Sequence, residues 1–87
     1  MAYYAVSYQL NDQKDYQSLW DAFAELGAHK AMRSFYFVDS TGTAKAVYDY
    51  LKQFIDEDDH LAVVPIGAEP IKHKCFKGTR AWIDERF

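Results

Sequence analysis

AHKAMRSFYFVDS, residues 28–40, is the stretch on which the fold turns. Its β character is clearest in SFYFVD, residues 34–39, where aromatic and β-branched side chains suit a pleated, half-buried surface. About eleven residues is long for one strand, whose usual length is roughly 5–6. A bulge or a tight reversal near Arg33–Ser34 would resolve that excess. No Gly, Asn or Pro marks the reversal, so periodicity leaves one strand or two open.

The flanks are easier to read. Upstream, residues 14–27 place Tyr16, Leu19, Trp20, Phe23 and Leu26 on one helical stripe, and Gly27 follows where a helix C-terminus favours it. Aromatics at this spacing read as core packing against a sheet. Residues 2–10, AYYAVSYQL, read as a strand with Tyr4, Val6, Tyr8 and Leu10 on one face and Tyr3, Ala5, Ser7 and Gln9 on the other. Asn11 and Asp12 supply turn chemistry. Downstream, STGT offers turn and N-cap residues. TAKAVYDYLKQFI, residues 43–55, then predicts a second amphipathic helix with Val47, Tyr48, Leu51, Phe54 and Ile55 inward. After the acidic turn DEDDH, LAVVPI (61–66) reads as a short buried strand. IKHKCF (71–76) reads as an outer strand, and GTRAWIDERF (78–87) as a short tail.

The predicted order is β-α-β-(β)-α-β-β. Two helices on one face of an antiparallel sheet is the economical α+β solution. If residues 28–39 split, the chain is a single ferredoxin-like βαββαβ domain over residues 1–87, with an additional C-terminal edge strand. The second sheet face then lacks helices, and aromatics of the Tyr3 set would lie exposed on it. A face of that kind asks for a partner, most economically a second copy in a symmetric homodimer.

Composition bounds the rest. Eighty-seven residues, 49% of them hydrophobic, make one domain with an ample core. No run approaches the roughly 20 apolar residues of a membrane span. MAYYAVSY lacks a basic leader, so a cytoplasmic protein with no membrane partner is expected. Cys75 is the single cysteine, which excludes an internal disulfide and a zinc pair of thiolates. The formal net charge of −3 argues against a general polyanion binder. That average hides an asymmetry, because residues 71–80 carry Lys72, Lys74, Lys77 and Arg80 and no acid. Two readings fit them equally: an edge strand protected by lysines, or a ligand site.

AVSYQLND, the SFYFVD strand and DEDDHLAVVPI together resemble the CRISPR-associated "Cas two" family, and more closely its SinR-like relatives outside CRISPR arrays. The resemblance spans roughly residues 3–66. It implies a ferredoxin-like homodimer joined through its sheets and, in some members, metal-dependent cleavage of RNA or DNA. In other settings such a dimer holds DNA for an integrase. Members that cut carry Asp directly after the Tyr of the first strand, and the paired carboxylates hold a divalent metal. Here that position is Gln9. Mg²⁺ or Mn²⁺ needs carboxylate charge, which an amide does not supply, and an amide is no general base.

An impaired nuclease fold is therefore expected, with no cofactor and no metal site, Mg²⁺ or Mn²⁺ entering only if cleavage survives. In that event Asp12 is the candidate replacement acid, although an Asx-turn or cap role fits it as well. Ser34 matches a conserved serine of the family and is the other catalytic candidate. For binding, the candidates are Gln9, Arg33, Lys72, Lys74, Lys77 and Arg80, with Lys30 able to join them if residues 71–77 lie beside 28–33. The expected partners are a second copy and RNA or DNA. The alternatives are an active metal-dependent endonuclease or endoribonuclease, and a protein-interaction module that binds no nucleic acid. His29, His60 and His73 are scattered without metal-site spacing. Cys75 and His73 could share a strand face as a Cys/His nucleophile pair, but no acid or second hydrogen-bonding partner accompanies them. Trp82 and Ile83 read as cover for a dimer surface or for the open sheet face.

Overall fold

Residues 28–40 split into two strands. The computed structural model describes residues 1–10 and 16–87. In chain order its elements are β1 (Ala2–Gln9), α1 (Gln17–Glu25), β2 (His29–Met32), β3 (Phe35–Ser40), α2 (Ala44–Lys52), β4 (His60–Pro65) and α3 (Thr79–Arg86). The strands form one antiparallel sheet in the order β2-β3-β1-β4, an α+β arrangement compatible with a ferredoxin-like fold. Among the described residues, no helix is long and apolar enough to cross a membrane.

The β2–β3 turn explains why no glycine was needed. Met32 pairs with Phe35 across Arg33–Ser34, and the ladder is irregular between Lys30 and Met32. Neither turn residue has positive φ. A turn of that kind splays its strands, and the bulge beside it restores the twist. Tyr8 holds the reversal from the neighbouring strand: its backbone N–H donates to the Ser34 carbonyl at 3.2 Å and its hydroxyl to the Arg33 carbonyl at 3.2 Å.

The alternation expected for β1 holds. Tyr4, Val6 and Tyr8 are buried beneath α1 and α2 with Leu19, Phe23, Val47 and Leu51. α1 ends at Gly27, whose φ of +65° lets Ala28 N–H reach the Phe23 carbonyl at 3.0 Å and Gly27 N–H reach the Ala24 carbonyl at 3.0 Å. α2 begins at Thr43, whose hydroxyl accepts from Ala46 N–H at 3.1 Å. It ends earlier than the periodicity predicted. Phe54 and Ile55 continue it only as tightened turns bonded to Leu51 and Lys52, and they pack against the same core.

Three expectations are corrected. First, the additional C-terminal edge strand over residues 71–76 is absent. The segment is irregular, with Lys74 at φ +52°, and makes a single ladder-like bond, Phe76 N–H to the Ala31 carbonyl at 2.8 Å, along the outer edge of β2. Second, the predicted tail contains α3, and Thr79, Trp82 and Ile83 are its buried residues. This helix covers the second sheet face. Trp82 stacks on Phe37 with ring centroids 4.8 Å apart and meets Tyr3 edge-on at 6.0 Å. The face expected to stay open and aromatic is thus largely filled from within the chain. Third, LAVVPI is an edge strand and not a buried one. Leu61 and Val63 face the core, while Ala62 and Val64 lie exposed on the other side. A short apolar run does not by itself report which side has a neighbour.

Candidate functional site

β1 leaves the sheet at Gln9, which is exposed and lies opposite His60 of β4. A shallow groove of about 330 Å³ opens there, lined by Ser7, Tyr8, Gln9, His60, Leu61 and Ala62. No carboxylate is among these lining residues. An amide, an imidazole and a hydroxyl offer oxygen and nitrogen donors but no negative charge, so this donor set does not fit the hard dication that the family resemblance implies. Asp12 lies outside the described residues.

Ser34 sits in an adjoining groove. That hollow, of about 320 Å³, lies on the helix side of the sheet and is lined by Tyr8, Tyr16, Trp20, Lys30, Arg33 and Ser34, with Leu10 at its edge. Tyr8 lines both grooves, because it is the last core-facing residue of β1. Lys30 reaches over the aromatic wall, its Nζ 5.6 Å from the Trp20 ring and 6.0 Å from Tyr36. Burial, and then the neighbouring Tyr36, raises the Tyr8 phenol well above its ordinary range, and burial also raises Tyr36. Both phenols are therefore hydrogen-bond donors at neutral pH and not bases.

The remaining cations divide. Phe76 N–H bonds the Ala31 carbonyl, which sets this end of the basic segment beside β2. Lys74 and Lys77 are exposed, and Lys72 is half-buried against the second sheet face. Arg80 stands apart. It donates to Asp84 at 2.9 and 2.7 Å and pairs with Glu69 at 3.8 Å, so its charge is already matched within the chain. Arg86 is likewise committed, to Asp39 at 2.8 Å and over the Trp82 ring at 4.3 Å.

No family model matches this chain, and no solved structure matches it.

His29 lies at the junction of β2 and α3. Its Nε2 is 2.7 Å from the Thr79 hydroxyl, and that hydroxyl donates to the Phe76 carbonyl at 2.7 Å. With the Thr79 proton so used, Nε2–H is the donor to the hydroxyl oxygen. Burial, and then the Arg86 guanidinium, lowers the affinity of the imidazole for a second proton. The ring is a structural clasp. His73 and Cys75 do not share a strand face, since no strand forms there, but both line one groove.

The acidic turn gathers Asp56, Asp58 and Asp59, with one carboxylate oxygen from each within 4.8 Å of the others. Asp59 organises the turn: its Oδ1 accepts from the Tyr16 hydroxyl at 2.6 Å and its Oδ2 from Asp56 N–H at 2.8 Å. Asp56 and Asp59 border a separate groove with Tyr48, Lys52 and His60. Sequence reading noted the charge but not the convergence. It also missed Tyr16 and Trp20 as groove walls, because the helical stripe that buries a residue does not report how far its rim stays exposed.

Proposed function

We propose that this chain is a ferredoxin-like module of the Cas two or SinR-like kind, a catalytically impaired cytoplasmic homodimer that binds or scaffolds nucleic acid in phage defence or on mobile elements. The observation that carries the reading is the pair of grooves where β1 ends. One presents Gln9 without a carboxylate among its lining residues, and the other sets Lys30 and Arg33 beside Tyr8, Tyr16 and Trp20. Cations beside a partly exposed aromatic ring, here Trp20 backed by the buried Tyr8 and Tyr16, are a combination that holds single-stranded nucleic acid, by phosphate attraction and base stacking. Lys74 and Lys77 extend the positive surface past the β2 edge, whereas Arg80 is left out of the binding set because its acids already occupy it. For the twofold contact, the surface available is the β4 edge with exposed Ala62 and Val64.

The test is purified protein with labelled RNA and duplex DNA, with and without Mg²⁺ or Mn²⁺, followed by anisotropy and gel analysis. Binding without cleavage is expected, with log affinity falling linearly in log salt at roughly 0.7–0.9 per phosphate neutralised. Metal-stimulated cleavage lost in Asp12→Ala would establish the active nuclease instead. Absence of salt-sensitive binding to any nucleic acid, together with a stable protein complex from cells, would establish the protein-interaction module.

A further inference from the structure

The second sheet face holds a groove that the nucleic-acid reading leaves unused. Its volume is about 340 Å³, within the roughly 300–1,000 Å³ of small-molecule sites. Ala5, Phe35 and Phe37 of the sheet form its floor, and Met32 and Ile71 flank it. Those two flanking side chains are 44% and 93% exposed, a large apolar outlay on the surface of so small a domain. Lys72 and His73 stand at the rim, and Cys75 lines the wall.

Charge selects the occupant. No acid lines the groove, and Lys74 and Lys77 add to the same irregular segment. Glu69, the nearest acid upstream in the chain, lies against Arg80 at 3.8 Å. A second copy seated symmetrically on this surface would set Lys72, Lys74 and Lys77 against their own counterparts, and like charges face to face oppose association. A nucleobase is equally unsuited, because the floor offers no polar side chain to its edge donors and acceptors. What fits is an apolar body of one ring system or a short acyl chain, ending in a negative group that Lys72 can meet.

We propose that this groove is a binding site for a small hydrophobic anion, an aryl or medium-chain acyl carboxylate or sulfonate, held by the apolar floor with its charge at Lys72. The site lies on the opposite side of the sheet from the groove walled by Tyr16, Trp20 and Lys30. Occupancy would tie the irregular 66–78 segment to the sheet that it crosses.

Two probes test it: 8-anilinonaphthalene-1-sulfonate, read by its fluorescence, and decanoate below its micellar concentration as competitor. Saturable binding of one probe per chain is expected, displaced by decanoate and not by decylamine. Lys72→Glu should weaken the probe roughly tenfold or more, the scale of one lost charge-assisted contact. Lys45→Glu, on the exposed face of α2, should leave it unchanged. Decanoate at saturation should also slow alkylation of Cys75 by iodoacetamide, a readout that places the ligand. Unsaturable probe binding, equal affinities for the two charge reversals, or unprotected Cys75 would each overturn the site. So would a dimer that excludes the probe and is dissociated by Ile71→Glu, since the groove would then be a contact between copies. Ile71 is almost fully exposed, so that last variant does not threaten the fold.

Discussion

Replacing Thr79 with valine isolates the clasp that turns the C-terminal segment back onto the sheet. Thr79 is completely buried, and its hydroxyl both donates to the Phe76 carbonyl and accepts from the His29 ring, each at 2.7 Å. Valine keeps the volume and opens no cavity, so the loss is confined to two hydrogen bonds and to the groups left without partners. Each such bond contributes about 1 kcal/mol, and a buried orphan costs roughly 1–3 kcal/mol. His29 is partly exposed and can turn to water, which places the total near 2 kcal/mol. For a domain whose whole stability is roughly 4–13 kcal/mol, that should lower Tm by about 8–16 °C. Serine keeps both bonds and gives up one methyl group, costing about 1 kcal/mol. Urea unfolding followed by tryptophan fluorescence should therefore rank wild type above Thr79→Ser, and Thr79→Ser above Thr79→Val. Burial of apolar surface alone predicts the reverse order for the two variants. Thr79→Val as stable as the wild type, or more stable than Thr79→Ser, would refute the clasp.

Four further outcomes follow from the same contacts. His29 is held below its ordinary value of about 6.5, chiefly by burial and then by Arg86, so the unfolded chain takes up the proton first. The stabilisation is complete above that value and is lost as pH falls through the lowered folded one. His29→Gln should flatten the decline in urea midpoint over this window, and parallel slopes would remove the argument. Gly27→Ala meets no neighbour within 4 Å but must hold φ near +65°, so it should destabilise by about 1–2 kcal/mol in the same assay. A double-mutant cycle on Asp39→Asn and Arg86→Met should return a coupling of about 1 kcal/mol, reflecting a pair only 22% and 20% exposed; a value near zero would mean that the ion pair adds nothing to the hold on α3. Lys30→Glu combined with Arg33→Glu should weaken single-stranded RNA and flatten its salt dependence, whereas Arg80→Glu should change binding little; the opposite pattern would relocate the interface.

The elements legible in the sequence are those whose cause is local. Tyr4, Val6 and Tyr8 alternate because adjacent strand residues point to opposite faces. The stripe from Tyr16 to Phe23 follows the helical period, Gly27 supplies the left-handed residue that closes α1, and Thr43 caps α2. α3 also left a local trace: Thr79, Trp82, Ile83 and Arg86 stand at i, i+3, i+4 and i+7, although neighbouring glycine and charge make the segment read as a tail. At the candidate site, Gln9 and the cations were visible as residue types, and the segregation of charge into residues 71–80 was plain.

Whether those residues act together depends on contacts between distant parts of the chain. Arg33 and Ser34 reverse the chain because Tyr8, far upstream, bonds both of their carbonyls, so no turn residue was needed to announce it. β4 became an edge because of the sheet order, which a run of valines does not encode. Residues 71–76 could have added a strand, but a single bond from Phe76 to Ala31 and the clasp of Thr79 on His29 send them into α3 instead. By itself the sequence determined the periodic elements, their caps and the inventory of charge. Only the tertiary structure decided which cations stay free, which acids neutralise the others, and where a cationic rim meets an apolar floor. Periodicity acts over a few residues, whereas those pairings are made between groups far apart in sequence and chosen by packing.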